Sequence, residues 1–153
     1  MQRVLVTGAT GRVGRAVIAE LLGAGVPVRA LTRKPATAAL PAIAEVVAGD
    51  FTEPDSLDSA LQGVRAVFLL WTAPLATAAA VVERLASDTR RVVFLSSPHQ
   101  TPHPFFQQPN PMARFYAEME SLITAAGLEW TRRAPFGRTG TRAAITSSRV
   151  LSR

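Results

Sequence analysis

Three glycines near the start of the chain have the spacing of a phosphate-binding turn. Gly8, Gly11 and Gly14 directly follow a short apolar run. Such a turn needs a residue with positive φ, a backbone that approaches a pyrophosphate closely, and a small residue where helix meets sheet. A tight turn without a ligand is the alternative, but the position after a strand favours a dinucleotide. The residues expected to contact it here are Gly8, Thr10, Gly11, Arg12, Val13 and Gly14.

The end of the second apolar run indicates which dinucleotide is bound. An acid about 20 residues beyond the glycines would bind the ribose 2′-hydroxyl of NAD, whereas an arginine accommodates the 2′-phosphate of NADP. This chain has Thr32, Arg33 and Lys34 there, and no acid. Arg33 is expected to make the bidentate phosphate contact, assisted by Thr32 and Lys34, although a solvated basic turn is the alternative. The sequence therefore predicts NADP(H) in preference to NAD(H).

The third apolar run ends in two residues that lie where an adenine would bind. Asp50 has the chemistry to accept a hydrogen bond from the exocyclic amine, and Phe51 to pack on the ring. Equally, Asp50 would serve only to cap the helix that follows. The sequence leaves both interpretations open.

The fourth and fifth runs end beside the expected positions of the ribose and nicotinamide. Leu70, Trp71 and Thr72 close the fourth run, with Trp71 expected to form a wall of the site, and Ser96 closes the fifth. Ser97 is suited to orient a substrate carbonyl, but a hydroxyl satisfied within its own turn is the alternative. His99 and His103 follow in a proline-rich stretch, and we expect them to be exposed loop residues, with a role as proton donor as the alternative for either.

The elements that position these residues alternate along the chain. Short β-branched apolar runs are separated by longer patterns with helical spacing, which predicts an α/β fold with a doubly wound parallel sheet. Thr52 and Asp55 predict a capping box for the second helix. The predicted strands are 3–7, 27–32, 45–50, 65–70, 91–96 and 128–131, and the predicted helices are 11–22, 52–62, 76–86 and 112–126.

Composition excludes several classes of protein. The 153 residues are 48% hydrophobic and 18% charged, which fits one globular domain with a substantial core. The absence of cysteine excludes disulfide scaffolds, thiolate metal sites and thiol nucleophiles, and two histidines make a poor metal cluster. Neither a signal peptide nor a membrane span is predicted. We therefore expect a cytoplasmic protein without metal or membrane.

The positive charge lies at one end of the chain. Residues 1–131 are electrically balanced, so the net charge of +6 comes from six arginines in residues 132–153. We expect residues 1–131 to form one dinucleotide-binding domain and residues 132–153 a basic, poorly ordered tail. A basic arm that binds nucleic acid or an anionic membrane is the alternative, but the last 15 residues lack aromatic side chains, which disfavours nucleic acid as a partner.

Taken together, the motifs resemble the atypical short-chain dehydrogenase/reductase families, most closely the NmrA-like and NAD(P)H-binding group. The matching segments are 6–14, 31–33, 49–50, 94–97, 117–120 and 126–131. The resemblance implies a Rossmann fold with strand order 3-2-1-4-5 and a partial sixth strand, with NADP(H) at the carboxyl ends of the strands. It further implies either reduction of a quinone or carbonyl substrate, or redox sensing through a protein partner without turnover.

The catalytic residues of these families are incompletely matched. Active short-chain reductases use Tyr-x-x-x-Lys with a serine, and the alignment places Met112 at the tyrosine position and Tyr116 at the lysine position. No catalytic residue is therefore assigned; Ser97 and Tyr116 are the candidates, and packing on the helix surface is the alternative for Tyr116. If turnover occurs, hydride is expected to pass directly to an electron-poor acceptor such as a quinone.

Members of these families continue beyond the sixth strand into a smaller substrate-binding lobe. In this chain the charge and composition change near residue 131, where the family pattern stops. We therefore expect that the reading frame or gene was truncated near that point and that the basic tail replaces the lobe.

Overall fold

The computed structural model describes residues 3–96 and 111–133, which form one parallel sheet flanked by helices. The strands are β1 (Arg3–Val6), β2 (Val28–Thr32), β3 (Glu45–Ala48), β4 (Val64–Leu69), β5 (Arg91–Leu95) and β6 (Glu129–Arg133). The helices are α1 (Arg12–Gly23), α2 (Asp58–Leu61), α3 (Ala78–Asp88) and α4 (Pro111–Ala125), with short 3-10 turns at Pro35–Thr37, Pro54–Leu57 and Leu75–Thr77. The predicted α/β class is confirmed.

The strand order is β3-β2-β1-β4-β5-β6, and all neighbouring strands are parallel. The chain builds the sheet outward from β1 in one direction and then returns to add β4 on the other side of β1. Such a reversal leaves a crevice outside the carboxyl ends of the two central strands, where open α/β sheets bind their ligands. The predicted doubly wound order is confirmed.

Both faces of the central strands are buried, as a sheet between two helix layers requires. In β4, Val67 belongs to one core cluster and its neighbour Phe68 to the other, on the opposite face. The first cluster is completed by α3 and α4, through residues such as Leu85 and Ile123, and the second by Ile18 of α1. This packing holds the carboxyl ends of β1 and β4 in fixed positions.

The sixth strand is a full strand rather than the partial one expected. It pairs with β5 from Glu129 to Arg133, so two residues assigned to the basic tail, Arg132 and Arg133, lie in the sheet. Strand β6 occupies a sheet edge, where exposed polar side chains are tolerated.

The predicted capping box after β3 is wrong. The backbone forms the Pro54–Leu57 turn followed by the four-residue α2, and neither has a side-chain cap at its start. The Thr52 hydroxyl instead donates to Asp50 Oδ1 over 2.8 Å. Thr52 is therefore used within the turn that leaves β3, and the single helix predicted over 52–62 is divided into two short pieces.

Within the described ranges, the helices are too short or too polar to cross a membrane. The same residues also contain no grouping of three or more metal-ligating side chains of the His, Cys, Asp and Glu types.

Candidate cofactor-binding site

A cavity of about 490 Å³ lies at the carboxyl ends of the central strands. It collects side chains from the turns after β1, β2, β3 and β4, which are distant in the sequence. Eleven of the predicted residues line it: Gly8, Thr10, Gly11, Arg12, Val13, Thr32, Arg33, Asp50, Phe51, Leu70 and Thr72. Seven further residues complete the lining: Thr7, Ala9, Leu31, Gly49, Thr52, Ala73 and Pro74.

The glycine turn has the close packing that its spacing predicted. Gly8 adopts φ +59°, in the left-handed region that favours glycine. A Cβ on Gly14 would overlap the carbonyl oxygen of Gly8 and lie 2.8 Å from Ala9 Cα, so helix and turn meet without space for a side chain. Gly14 therefore shapes the site through packing, although it does not line the cavity.

The N-terminus of α1 faces this turn without a side-chain cap. Gly11 is the N-cap residue, and its N–H donates to the Gly8 carbonyl over 3.1 Å. The first N–H groups of a helix lack intrahelical acceptors and carry partial positive charge. An anion can satisfy these donors in place of a capping side chain.

Thr7, which is not among the predicted cofactor-binding residues, lines the cavity and joins two strand ends there. Its buried hydroxyl donates to the Leu70 carbonyl over 3.0 Å and accepts from the Leu70 N–H over 2.8 Å. This exchange joins the ends of β1 and β4 beyond their last strand residues. A threonine at a strand end is common, and no local pattern shows that its partner lies 63 residues away.

The basic side of the cavity contains two arginines from different loops. Arg12 begins α1 and Arg33 follows β2, and both are exposed lining residues. Lys34, the third predicted basic residue, does not line the cavity; its backbone N–H donates to Thr32 Oγ1 over 3.2 Å. The guanidinium groups therefore provide the positive charge at this end.

Asp50 is the acidic residue of the lining. Its Oδ1 accepts hydrogen bonds from the backbone N–H and from the hydroxyl of Thr52, each over 2.8 Å. These two bonds lower the pKa of Asp50, and the positive charge of Arg33 lowers it further. The interpretation of Asp50 as a helix cap is wrong, because the Pro54–Leu57 turn has no side-chain cap. Its contact with adenine stays a prediction.

Trp71 is not the cavity wall that the sequence suggested. Its ring stacks on Phe51 with centroids 4.7 Å apart and an angle of 9° between the planes. The indole N–H donates to the Ala73 carbonyl over 2.6 Å, so Trp71 is buried behind Phe51 rather than exposed to the cavity. Phe51 lines the cavity, although it is itself buried with 7% of its surface exposed, and Trp71 stacks on it.

Ser96 also lies away from the cavity. It is buried at the end of β5, and its hydroxyl donates to Glu120 Oε1 over 2.9 Å. The other Glu120 carboxylate oxygen accepts from Arg132 of β6. Ser96 therefore belongs to a polar contact that joins β5, α4 and β6.

Tyr116, the catalytic candidate within the described residues, does not line the cavity. Tyr116 is half-buried, with its ring centroid 6.0 Å from that of Phe94 and 5.3 Å from that of Phe115, which agrees with the packing interpretation. Ser97, His99 and His103 lie outside the described residues.

Comparison with known proteins agrees with this geometry. A family model described as NAD(P)H-binding matches residues 8–143. A curated reductase from Streptomyces griseus, which acts on (4-alkanoyl-5-oxo-2,5-dihydrofuran-3-yl)methyl phosphate, is 37% identical over 139 residues, covering 84% of this chain and 45% of the reductase.

Solved structures share the fold. An NADPH-dependent quinone oxidoreductase from Escherichia coli, solved with NADPH, superposes with a TM-score of 0.69 at 26% identity, covering 84% of this chain and 47% of that one. A triphenylmethane reductase from Citrobacter sp., solved with NADP(H), gives a TM-score of 0.71 at 23% identity, with coverages of 85% and 48%. The chain thus spans about half the length of these relatives.

Proposed function

The chain belongs to the NAD(P)H-binding family, and from this premise we propose that it binds NADP(H) in the cavity and transfers hydride from NADPH to a quinone or carbonyl acceptor. The observation that carries the cofactor assignment is the joint position of Arg12 and Arg33 on the cavity, where β2 ends without an acid. The reductase and quinone oxidoreductase relatives support the reaction class.

In the proposed complex, the pyrophosphate binds the uncapped N-terminus of α1 at Gly11. The adenine packs on Phe51 beside Asp50, and the 2′-phosphate bonds the guanidinium groups of Arg12 and Arg33. An NAD-type ribose would leave both arginines without this anion. Charge complementarity therefore favours NADP(H) over NAD(H).

The nicotinamide half would extend past Leu70 and Thr72, which line the cavity at the end of β4. When bound, NADPH would supply a hydride, which leaves NADP⁺, and the second proton taken up by the acceptor would come from water. No strong protein acid is needed when the acceptor is electron-poor, which favours quinones as the substrate class.

Arg33→Ala tests the cofactor assignment by equilibrium titration with NADPH and NADH. A charge-assisted hydrogen bond contributes about 1.5–3 kcal/mol, so we expect the Kd for NADPH to rise about 10- to 100-fold while that for NADH stays nearly constant. Lys34→Ala is the matched control, because Lys34 is adjacent but does not line the cavity, and it should have a much smaller effect.

Gly11→Asp provides a variant without binding. The extended backbone of Gly11 suits an aspartate at this N-cap, although its Cβ would lie 3.3 Å from the Gly8 carbonyl oxygen and require a small shift. The carboxylate would occupy the anion position, so we expect both dinucleotides to be lost from a folded protein. Equal binding of NADPH and NADH by the wild type, or unchanged NADPH binding by Arg33→Ala, would contradict the assignment.

A non-catalytic NADP(H) sensor that binds a protein partner is the second candidate function. The packing of Tyr116 against Phe94 and Phe115 favours it, because this phenol is not on the cavity. NADPH oxidation with a panel of quinones and carbonyl compounds separates the two candidates. We expect quinone-dependent oxidation that Gly11→Asp abolishes; tight NADPH binding without oxidation in any reaction would instead support the sensor.

A further inference from the structure

Arg15 makes an unusual set of contacts just outside the cavity. Its Nε donates to the Thr10 carbonyl over 3.0 Å, Nη1 to the Ala39 carbonyl over 2.6 Å, and Nη2 to the Ala38 carbonyl over 2.8 Å. All three acceptors are backbone oxygens, and they belong to two separate loops. A planar guanidinium can hold several carbonyls at fixed relative positions, which a flexible ammonium group cannot.

One of these acceptors belongs to a backbone under strain. Ala39 has φ +46°, and it is the one described residue other than glycine with positive φ. An L-residue is disfavoured in this region because its Cβ approaches the backbone. The two charge-assisted bonds from Arg15 to Ala38 and Ala39 therefore hold the loop in a conformation that its sequence alone does not favour.

The loop held in this way carries Arg33. Between β2 and Ala38, the backbone is fixed at its start by the Lys34 N–H bond to Thr32 Oγ1 and at its end by the Ala38 N–H bond to the Pro35 carbonyl over 3.2 Å. The third acceptor of Arg15 is the carbonyl of Thr10. Thr10 lines the cavity and lies in the glycine turn, two residues before Arg12. Arg15 thus joins the two segments that carry the two cavity arginines.

We propose that Arg15 is a positioning residue that sets the spacing of Arg12 and Arg33 and thereby the selectivity of the site for a dinucleotide with a 2′-phosphate. This inference rests on the proposed function, and it adds a residue that does not contact the cofactor. Arginines whose backbones are already fixed lose less conformational entropy when they bind a phosphate. The affinity for a dinucleotide without that phosphate does not depend on this preorganisation, because such a dinucleotide does not bind the two arginines.

The experiment measures the Kd for NADPH and for NADH in Arg15→Met, which keeps an unbranched side chain but removes all three donors. We expect the ratio of the two dissociation constants to shift against NADPH by about three- to tenfold, with the Kd for NADH nearly unchanged. Arg90→Met is the matched control, since it removes an exposed arginine at the opposite end of the sheet and should leave the ratio unchanged.

A rescue variant distinguishes positioning from general destabilisation. Ala39→Gly removes the penalty of positive φ, so Arg15→Met/Ala39→Gly should recover part of the lost NADPH selectivity. Arg15→Lys keeps the charge but not the planar donor set, and it should give an intermediate ratio. This variant also serves if Arg15→Met does not fold.

The outcomes separate this inference from the cofactor assignment. If wild type prefers NADPH and Arg33→Ala loses that preference while the Arg15 variants retain it, Arg15 has no positioning role and the proposed function stands. If the Arg15 variants weaken NADPH and NADH equally, the inference is also overturned, because Arg15 then supports only the glycine turn. If wild type does not discriminate between the dinucleotides, the proposed function itself fails.

Discussion

Gly14 and Gly23 lie in the same helix but have opposite surroundings. A Cβ on Gly14 would meet backbone atoms of Gly8 and Ala9, whereas a Cβ on Gly23 has nothing within 4 Å. The difference explains why the glycine spacing was informative. Close backbone contact excludes every side chain at Gly14, so this position requires glycine and can be recognised in the sequence. At Gly23 the residue type carries no such information.

Alanine substitutions at these two glycines should therefore have opposite effects on stability. Gly14→Ala forces backbone atoms apart, and we expect it to lower the free energy of unfolding by about 1–3 kcal/mol and to weaken NADPH binding. Gly23→Ala should leave stability unchanged or raise it by up to about 1 kcal/mol, because alanine restricts the unfolded chain. Urea denaturation of both variants checks this, and equal effects would contradict the packing at the turn.

Other residues of the site could not be read from the sequence. Phe51 and Trp71 are both aromatic residues just after strands, and only the three-dimensional stack decides that Phe51 faces the cavity while Trp71 lies behind it. Thr7 is similar, because its hydroxyl partner is distant in the sequence. The steric requirements of a local turn can be recognised from residue types. Contacts between residues that are distant in the sequence cannot.

At the scale of elements, a buried arginine in β2 stabilises the short helix α2. Arg29 Nη1 donates to the carbonyls of Ala60 and Gln62, each over 2.8 Å, and Nη2 pairs with Glu45 of β3 at 3.0 Å. A four-residue helix is not stable alone, and its last carbonyls need donors. Arg29 supplies them from a neighbouring strand, a contact between elements that helical spacing in the sequence does not show.

The ion pair between Arg29 and Glu45 makes stability depend on pH. The hydrogen bond from Arg29, and then the charges of Arg29 and Arg3, lower the pKa of Glu45 in the folded protein. Its contribution is therefore present at neutral pH and is lost as the pH falls below about 4.3, the ordinary glutamate value, through the lowered folded pKa. Wild type should lose stability over that interval.

Glu45→Gln should be less stable than wild type at neutral pH and lose less stability on acidification. The difference between the two proteins should shrink as the pH falls, because protonation removes the same charge in wild type. Urea unfolding midpoints across the acid range measure this, with Glu118→Gln, an exposed residue of α4, as the matched control. A constant difference at every pH would show that Glu45 acts through packing rather than charge.

At the scale of the whole molecule, the alternation of strands and helices predicts a parallel sheet, whereas the order of its strands was implied by the resemblance to a known family. That order, once present, leaves the crevice at the carboxyl ends of the central strands. The sixth strand was underestimated because its last residues are basic. In the folded chain Arg132 contacts Glu120, and the Ser96 N–H donates to the Arg133 carbonyl over 2.8 Å, so tertiary partners override local composition.

The stack of Phe51 on Trp71 has a consequence for observing the protein in solution. The chain has two tryptophans, and Trp71 lies one ring away from the cavity, whereas Trp130 lies in β6 at the sheet edge. Reduced nicotinamide absorbs light where indole emits, and oxidised nicotinamide does not. With Trp130 replaced by phenylalanine, the fluorescence of Trp71 should therefore fall when the reduced dinucleotide binds and recover when that dinucleotide is oxidised.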